Sequence, residues 1–315
     1  MLFNTIYQKC VYLRNLQHCA RISLRGLAVR NGKARRETHF MADGGFLKVD
    51  SGKCSGDGAC ARVCPMGLLD MKDGAPVASS RAERACIGCG HCVAVCPQGA
   101  LSIPSCTPGD SMPAAPEVVL DDVQMERLLR SRRSIRNYQD RPVENDKLAR
   151  LVDIAHYAPS AGNSQQVSWL VINSREKVKR VAGETAAFLR HLAGSGDPVA
   201  AKYGLVALAD AWDAGHDGIA LGAHALVIAH APKAYNVAPV DCSIALTYLN
   251  IAAPSLGLGA CWGGFIMMAA ANWRPLRDVL ALPEGQACFG AMMVGYPVFK
   301  FRLLPPRNKA NLIWL

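Results

Sequence analysis

In the later two thirds of the chain, apolar residues recur with two different periods. Leu148, Leu151, Val152 and Ala155 stand at i, i+3, i+4 and i+7, one face of an amphipathic helix, and Pro159 bounds that helix. The runs Val167 to Ile172, Ala225 to Ile228 and Ala291 to Val294 are short and apolar and predict strands. A short helix is expected just before Arg132, and a long one from near Asp241. Irregular alternation of helices and strands predicts a layered α+β domain. From Cys242 to Trp273 no residue is charged, a run of 32 positions that has the length of a membrane span. Asn250, Pro254, Gly257, Gly259, Gly263 and Gly264 interrupt it, so the pattern predicts a buried helix followed by a glycine-rich turn, and no span. Trp262, Met267, Met268 and Trp273 read as core residues.

Upstream, the periodic pattern gives way to cysteines. The chain has 13, and seven of them lie between positions 54 and 96. That spacing is one of metal ligands, not of a disulfide scaffold, and implies a reducing compartment. Cys54, Asp57, Cys60 and Cys64-Pro65 repeat at an offset of 32 as Cys86, Cys89, Cys92 and Cys96-Pro97, so Asp57 stands where the second copy has Cys89. Cys86-x2-Cys89-x2-Cys92-x3-Cys96-Pro is an iron-sulfur run. A zinc ribbon needs pairs of cysteines set far apart and does not produce two two-residue steps and a three-residue step ending in Cys-Pro.

Over residues 45–108 the chain resembles the two-cluster bacterial-type ferredoxins. The resemblance implies two 4Fe-4S clusters, one on Cys86, Cys89, Cys92 and Cys64, the other on Cys54, Cys60 and Cys96 with Asp57 facing its fourth iron. A carboxylate is a harder and weaker ligand than thiolate for such an iron. Three outcomes follow: a 4Fe-4S cluster ligated by Asp57, the same cluster with water at that iron, or a 3Fe-4S cluster. The first two are favoured over the third. As a residue of a Ser-Gly-Asp-Gly turn, Asp57 also has a purely conformational reading.

The net charge of +10 changes meaning once it is located. Residues 1–40 hold eight Lys or Arg against one acid, Glu37, which leaves +3 for the rest. Such a block reads as a tail, which argues against a nucleic-acid partner. Residues 1–44 therefore read as a basic leader, disordered or transit-like, with translation starting at Met1 or Met41. Localisation is cytoplasmic, or organellar if residues 1–40 form a transit peptide. Residues 109–118, rich in Pro, Gly and Ser, form a linker to a second domain at 119–315.

In that domain, RRSIRNY places Arg132, Arg133, Ser134 and Arg136 together, a density of guanidinium and hydroxyl donors suited to a phosphate monoester. APSAGNSQ brings Pro159, Ser160 and Asn163. GLGACWGGF supplies bare backbone at Gly263 and Gly264, where a flat ring can approach closely. Gly257-x-Gly259-x3-Gly263 has the wrong spacing for a dinucleotide fingerprint, and it is expected to follow a helix instead of a strand. Together with the closing GYPVFKFRLLPPRN, these segments resemble the nitroreductase family of flavoenzymes, over about residues 123 to 310.

That resemblance implies a nitroreductase-like mixed sheet flanked by helices, and FMN bound without a covalent bond at a homodimer interface. Arg132, Arg133, Ser134 and Arg136 would hold its phosphate, ribityl chain and pyrimidine edge. Pro159, Ser160 and Asn163 would come from the partner subunit, Gly263 and Gly264 would lie near the flavin N5, and Arg307 would close on the phosphate. Gln166 stands where the family usually has Pro, and Asn308 where it has Lys; both bear on the substrate pocket. No side chain is singled out as catalytic, because the flavin carries the chemistry.

The combination implies an FMN-dependent oxidoreductase. Clusters pass electrons singly, while reduced flavin hands on two. The donor is NAD(P)H or a redox protein, and the acceptor a small nitro compound, quinone or enone. The alternative is an electron-transfer module that relays electrons between protein partners without a small substrate.

Overall fold

The computed structural model describes residues 45–114 and 119–315; the basic leader and residues 115–118 of the linker lie outside them. The cysteine-rich part is a pair of matching half-motifs. β1 (Lys48–Val49) pairs antiparallel with β4 (Leu101–Ser102). Between them come α1 (Ala59–Val63), the hairpin β2 (Leu69–Lys72) and β3 (Ala75–Ala78), α2 (Ala82–Ala85) and α3 (His91–Ala94). The offset of 32 is written into the backbone as well as the cysteines. Gly58 opens α1 at φ 70° and Gly90 opens α3 at φ 72°, a left-handed conformation that glycine adopts without steric cost. Leu68 N–H donates to Cys64 Sγ at 3.4 Å, and Ala100 N–H to Cys96 Sγ at 3.2 Å. Cys60, Leu69, Val93, Leu101 and Ile103 form a core that shares no residue with the rest of the molecule.

The second part begins with α4 (Asp122–Ser131), started by a capping box. The Asp121 carboxylate accepts from Gln124 N–H at 2.7 Å, and the Gln124 side chain accepts from Asp121 N–H at 3.2 Å. There follow α5 (Asn145–His156), β5 (Ser168–Ile172), α6 (Arg175–Gly194), α7 (Pro198–Tyr203), α8 (Leu205–Asp213) and β6 (Ala225–Pro232). The remainder is α9 (Ala238–Ala252), β7 (Gly259–Trp262), α10 (Gly264–Asn272), α11 (Arg274–Leu280) and β8 (Gln286–Gly295).

The sheet has the order β5-β6-β8-β7. Its strand pairings among the described residues are antiparallel, and its parallel component is a single bridge between Ser134 and Ala260. β6 and β8 form its buried middle. Leu226 and Ile228 of β6 join Ala291 and Met293 of β8 on one face, packed against Val181 and Leu189 of α6 and Ile266 of α10. Ala225, Val227 and Ala229 with Met292 and Val294 take the other face, against Leu148 and Leu151 of α5 and Leu246 and Leu249 of α9. Because β6 is covered on both faces, it reads as a continuous apolar run without alternation.

The uncharged stretch resolves into α9, β7 and α10. Among the described residues no helix is long and apolar enough to cross a membrane. The expected glycine-rich turn is in fact a strand framed by glycines, so Gly263 follows a strand and opens a helix. β7 lies antiparallel to β8, and the parallel βαβ unit of a dinucleotide fold is still absent from this segment.

Candidate functional site

In the cysteine-rich part, Cys54, Asp57, Cys60 and Cys96 line one cavity, while Cys64 does not. Burial raises the Cys60 thiol first, and the neighbouring Cys96 and Asp57 raise it further, so donors from both half-motifs meet there. Burial likewise pushes the Cys92 thiol up to about 11, with Cys86 and Cys89 adding to the rise. Cys54, Asp57, Cys60 and Cys96 thus come together across the two half-motifs, while Cys86, Cys89 and Cys92 lie together within the second. Among the described residues no three His, Cys, Asp or Glu side chains converge on one point as a single ion requires. The ligands of a cluster attach to separate iron corners and need not converge. Ser55 Oγ and Ala59 N–H donate to the two Asp57 carboxylate oxygens at 2.9 and 2.8 Å, and Arg62 donates to the Asp57 carbonyl at 2.8 Å. These bonds, the Ala59 amide first, hold the Asp57 carboxyl below its usual range. Asp57 is thus a turn residue and a cavity-lining carboxylate at once.

The arginine segment leaves α4 in extended conformation and runs along the exposed edge of β7. Ile135 N–H donates to Ala260 O at 3.0 Å, and Gln139 N–H to Tyr296 O at 2.8 Å. Close packing anchors it: a methyl group on Gly259 would sit 2.3 Å from Ile135 Cγ1, and one on Gly295 would sit 2.7 Å from Tyr138 Cδ1. Only glycine admits those side chains. Arg133 turns back on the helix it follows, donating to the carbonyls of Arg132 and Arg130 at 2.8 and 3.1 Å. Arg132, Ser134 and Arg136 gather around the Cys261 thiol of β7, which burial raises and these three lower. Burial lowers the pKa of Arg132, and the neighbouring Arg133 and Arg307 lower it further. Among the described residues none of these four arginines has a carboxylate partner. Cations that disfavour one another with no acid between them fit a phosphate monoester.

Gly263 N–H donates to Ala291 O at 2.8 Å, fixing the turn from β7 into α10. A methyl group on Gly264 would meet nothing nearer than Trp262 Cδ1 at 3.8 Å, so the backbone there stands clear for a flat ligand.

The Pro159, Ser160 and Asn163 loop is held from behind by side chains that sequence reasoning did not single out. Asp241, 3% exposed in the first turn of α9, accepts from Ala161 N–H and from the Tyr235 hydroxyl. Tyr235 and Ser164 share a hydroxyl hydrogen bond of 2.6 Å, and Ser160 Oγ accepts from Gln165 N–H at 3.0 Å. The available signal was Asp241 itself, a lone acid at the head of an apolar helix. Asn163, at φ 52°, faces the other way and donates from Nδ2 to the Ile87 carbonyl, between Cys86 and Cys89, at 3.1 Å.

Two groups of thiols and a set of arginines without acidic partners thus stand in one chain with a layered α+β domain. Comparison with known proteins gives the class. Residues 129–296 match the model of the nitroreductase family, and residues 53–101 that of the 4Fe-4S dicluster domain. The FMN reductase [NAD(P)H] of Bacillus subtilis strain 168 is 31% identical over 194 residues, 58% of this chain and 70% of that protein. A provisionally named NADH dehydrogenase/NAD(P)H nitroreductase of Archaeoglobus fulgidus is 27% identical over 175 residues, 54% of this chain and 84% of its own length. A Bacteroides fragilis nitroreductase, solved with bound FMN, has the same fold: TM-score 0.50 at 22% identity, covering 62% of this chain and 99% of that one. The chain belongs to the nitroreductase family and carries a dicluster ferredoxin domain ahead of its family domain.

Proposed function

We propose that the protein is an FMN-dependent oxidoreductase in which iron-sulfur clusters on residues 45–108 exchange electrons with a flavin on residues 119–315, for reduction of a small nitro compound, quinone or enone. The observation that carries this reading is the group of arginines without acidic partners at Arg132, Arg136 and Arg307, beside Ser134 and the open backbone at Gly264. Bound there, FMN supplies the exchange between single electrons and electron pairs. Arg132, Arg136 and Arg307 neutralise its phosphate, Arg133 stiffens the helix end that presents them, and Ser134 donates to its polar edge. Gly263 and Gly264 admit its ring. Pro159, Ser160 and Asn163, on the Asp241-braced loop, border the flavin site of the partner subunit in the proposed homodimer.

In the cluster part, Cys54, Cys60 and Cys96 with Asp57 hold one cluster, and Cys64, Cys86, Cys89 and Cys92 the other. The Asp57 oxygens keep lone pairs beyond those used by Ser55 and Ala59, so ligation and capping are compatible. The names of the relatives support a nicotinamide donor. A homodimer is supported by apolar surface that one chain leaves in water. α4 buries no residue and exposes Val123, Met125 and Leu129, and the tail from Phe299 to Leu315 exposes Phe301, Leu303 and Trp314 without regular structure. Apolar surface of that extent marks a contact site.

Anaerobic purification with iron, sulfide and flavin assays tests the proposal, followed by a donor and acceptor screen at the flavin and cluster absorption bands. About eight irons and one FMN per chain are expected. FMN-free protein, or electrons that pass only to protein acceptors, would sink it.

A further inference from the structure

The cysteine-rich part and the family domain have separate cores, and among the described residues every strand pairing and salt bridge falls within one or the other. Among the described residues one hydrogen bond crosses, from Asn163 Nδ2 to the Ile87 carbonyl. Its two ends are not arbitrary surface. Ile87 lies between Cys86 and Cys89, in a loop shaped by left-handed Gly88 and Gly90; a methyl group on these glycines would press on Ser105 and Cys106 at 3.0 and 3.1 Å. Asn163 sits at the tip of the loop that Asp241, Tyr235 and Ser164 brace from behind. Both ends are held by local contacts, and the bond ties one cysteine loop to the loop that borders the partner subunit's proposed flavin site. The cavity at Cys54, Asp57 and Cys60 has no such contact among the described residues.

We propose that Asn163 is a positioning residue that docks the Cys86–Cys92 loop against the flavin site that its own loop completes in the partner subunit, making the cluster on Cys64, Cys86, Cys89 and Cys92 the one that exchanges electrons with that flavin. The inference rests on the cluster-to-flavin reading above and adds which cluster takes part and which side chain holds it. The amide is suited to the task. One N–H serves Ile87, and the second N–H and the carbonyl oxygen remain for a ligand on the other side. Two one-electron oxidations of that cluster, with its re-reduction between them by one electron from the Asp57-containing cluster and two protons from solvent, would balance one two-electron reduction of the flavin. The Asp57-containing cluster then lies upstream, as the entry point or reservoir.

The test is hydrogen exchange followed by mass spectrometry on the full chain loaded with clusters and FMN, comparing wild type with Asn163→Ala and the isosteric Asn163→Asp. Amides of residues 87–90 should exchange about fivefold faster in both variants, the factor that one net hydrogen bond of about 1 kcal/mol carries. Amides of residues 55–58 should be unchanged. In parallel, transfer from pre-reduced clusters to flavin should slow, with iron content retained. Should either variant misfold, the wild-type chain suffices, because adding FMN to the cluster-loaded protein should slow exchange at 87–90 more than at 55–58. Equal exchange at the two loops, in a protein with full iron and FMN, overturns the docking role and leaves the proposed function intact. Wild-type protein that binds no FMN or no clusters overturns the proposed function itself.

Discussion

Arg132 and Arg307 come from opposite ends of the family domain, yet they lie close enough that, after burial and Arg133, the charge on Arg307 helps to lower the pKa of Arg132. Two like charges brought together and left without a carboxylate are a standing cost in the free protein, which an anion removes. Arg132→Ala and Arg307→Ala should each weaken FMN binding by about ten- to a hundredfold, the span of a charge-assisted hydrogen bond of about 1.5–3 kcal/mol. Neither should lower the melting temperature of the flavin-free protein. Fluorescence titration with FMN checks the first statement and calorimetry the second. If the sites merely anchored the tail, the Arg307 change would leave affinity unaltered.

Gly259 and Gly264 separate packing from binding. Gly259→Ala drives a methyl group into Ile135, and overpacking of that kind costs about 1–3 kcal/mol, a loss of several degrees in melting temperature. It should also weaken FMN binding by displacing the arginine segment. Gly264→Ala has room within the protein and should melt like wild type, yet it should lose flavin affinity because the added methyl occupies the ring's approach. Wild-type affinity in Gly264→Ala would move the flavin elsewhere.

Glu144 links pH to the seating of α5. The Tyr296 hydroxyl, first, and then its own backbone amide, Lys147 and Arg141 hold its carboxyl down at about 2, against an ordinary value of 4.5. A depressed carboxyl contributes stability that is present above pH 4.5 and lost as pH falls towards 2. Denaturation midpoints of wild type and Glu144→Gln should therefore differ at pH 6 and converge as the pH is lowered across that window. A gap that does not depend on pH would assign the effect to shape.

Asp57→Asn keeps the cap on Ala59 while removing a charged ligand, and Asp57→Cys restores an all-cysteine set while removing the cap. Electron paramagnetic resonance and potentiometry should show a changed potential in both, with a more robust 4Fe-4S cluster only in the cysteine variant. Unchanged spectra and potentials in Asp57→Cys would leave Asp57 as a turn residue alone.

Much of this architecture was legible where local pattern and tertiary role coincide. The run Val167 to Ile172 matches β5 to within one residue, and the four-residue periodicity from Leu148 lies inside α5. The matching contacts of Cys64 and Cys96 follow from the repeat. β7 was not legible, because its four residues are framed by glycines that also suit a turn, and its strand character comes from pairing with β8. The helices α6 to α8 lie in a stretch where no motif drew attention. The brace at Asp241 and the Asn163 to Ile87 bond depend on residues distant in sequence, which no spacing rule brings together.

The central claim is that single electrons from the clusters reach small acceptors through the flavin. Rapid mixing of the anaerobically reduced, fully loaded protein with a nitroaromatic or quinone, followed at the flavin and cluster bands together, tests it most directly. Both bands should reoxidise to completion, and protein reconstituted without FMN should keep its clusters reduced on the same timescale. Clusters that reoxidise equally fast without FMN, or a flavin band that stays reduced in the presence of acceptor, would contradict it.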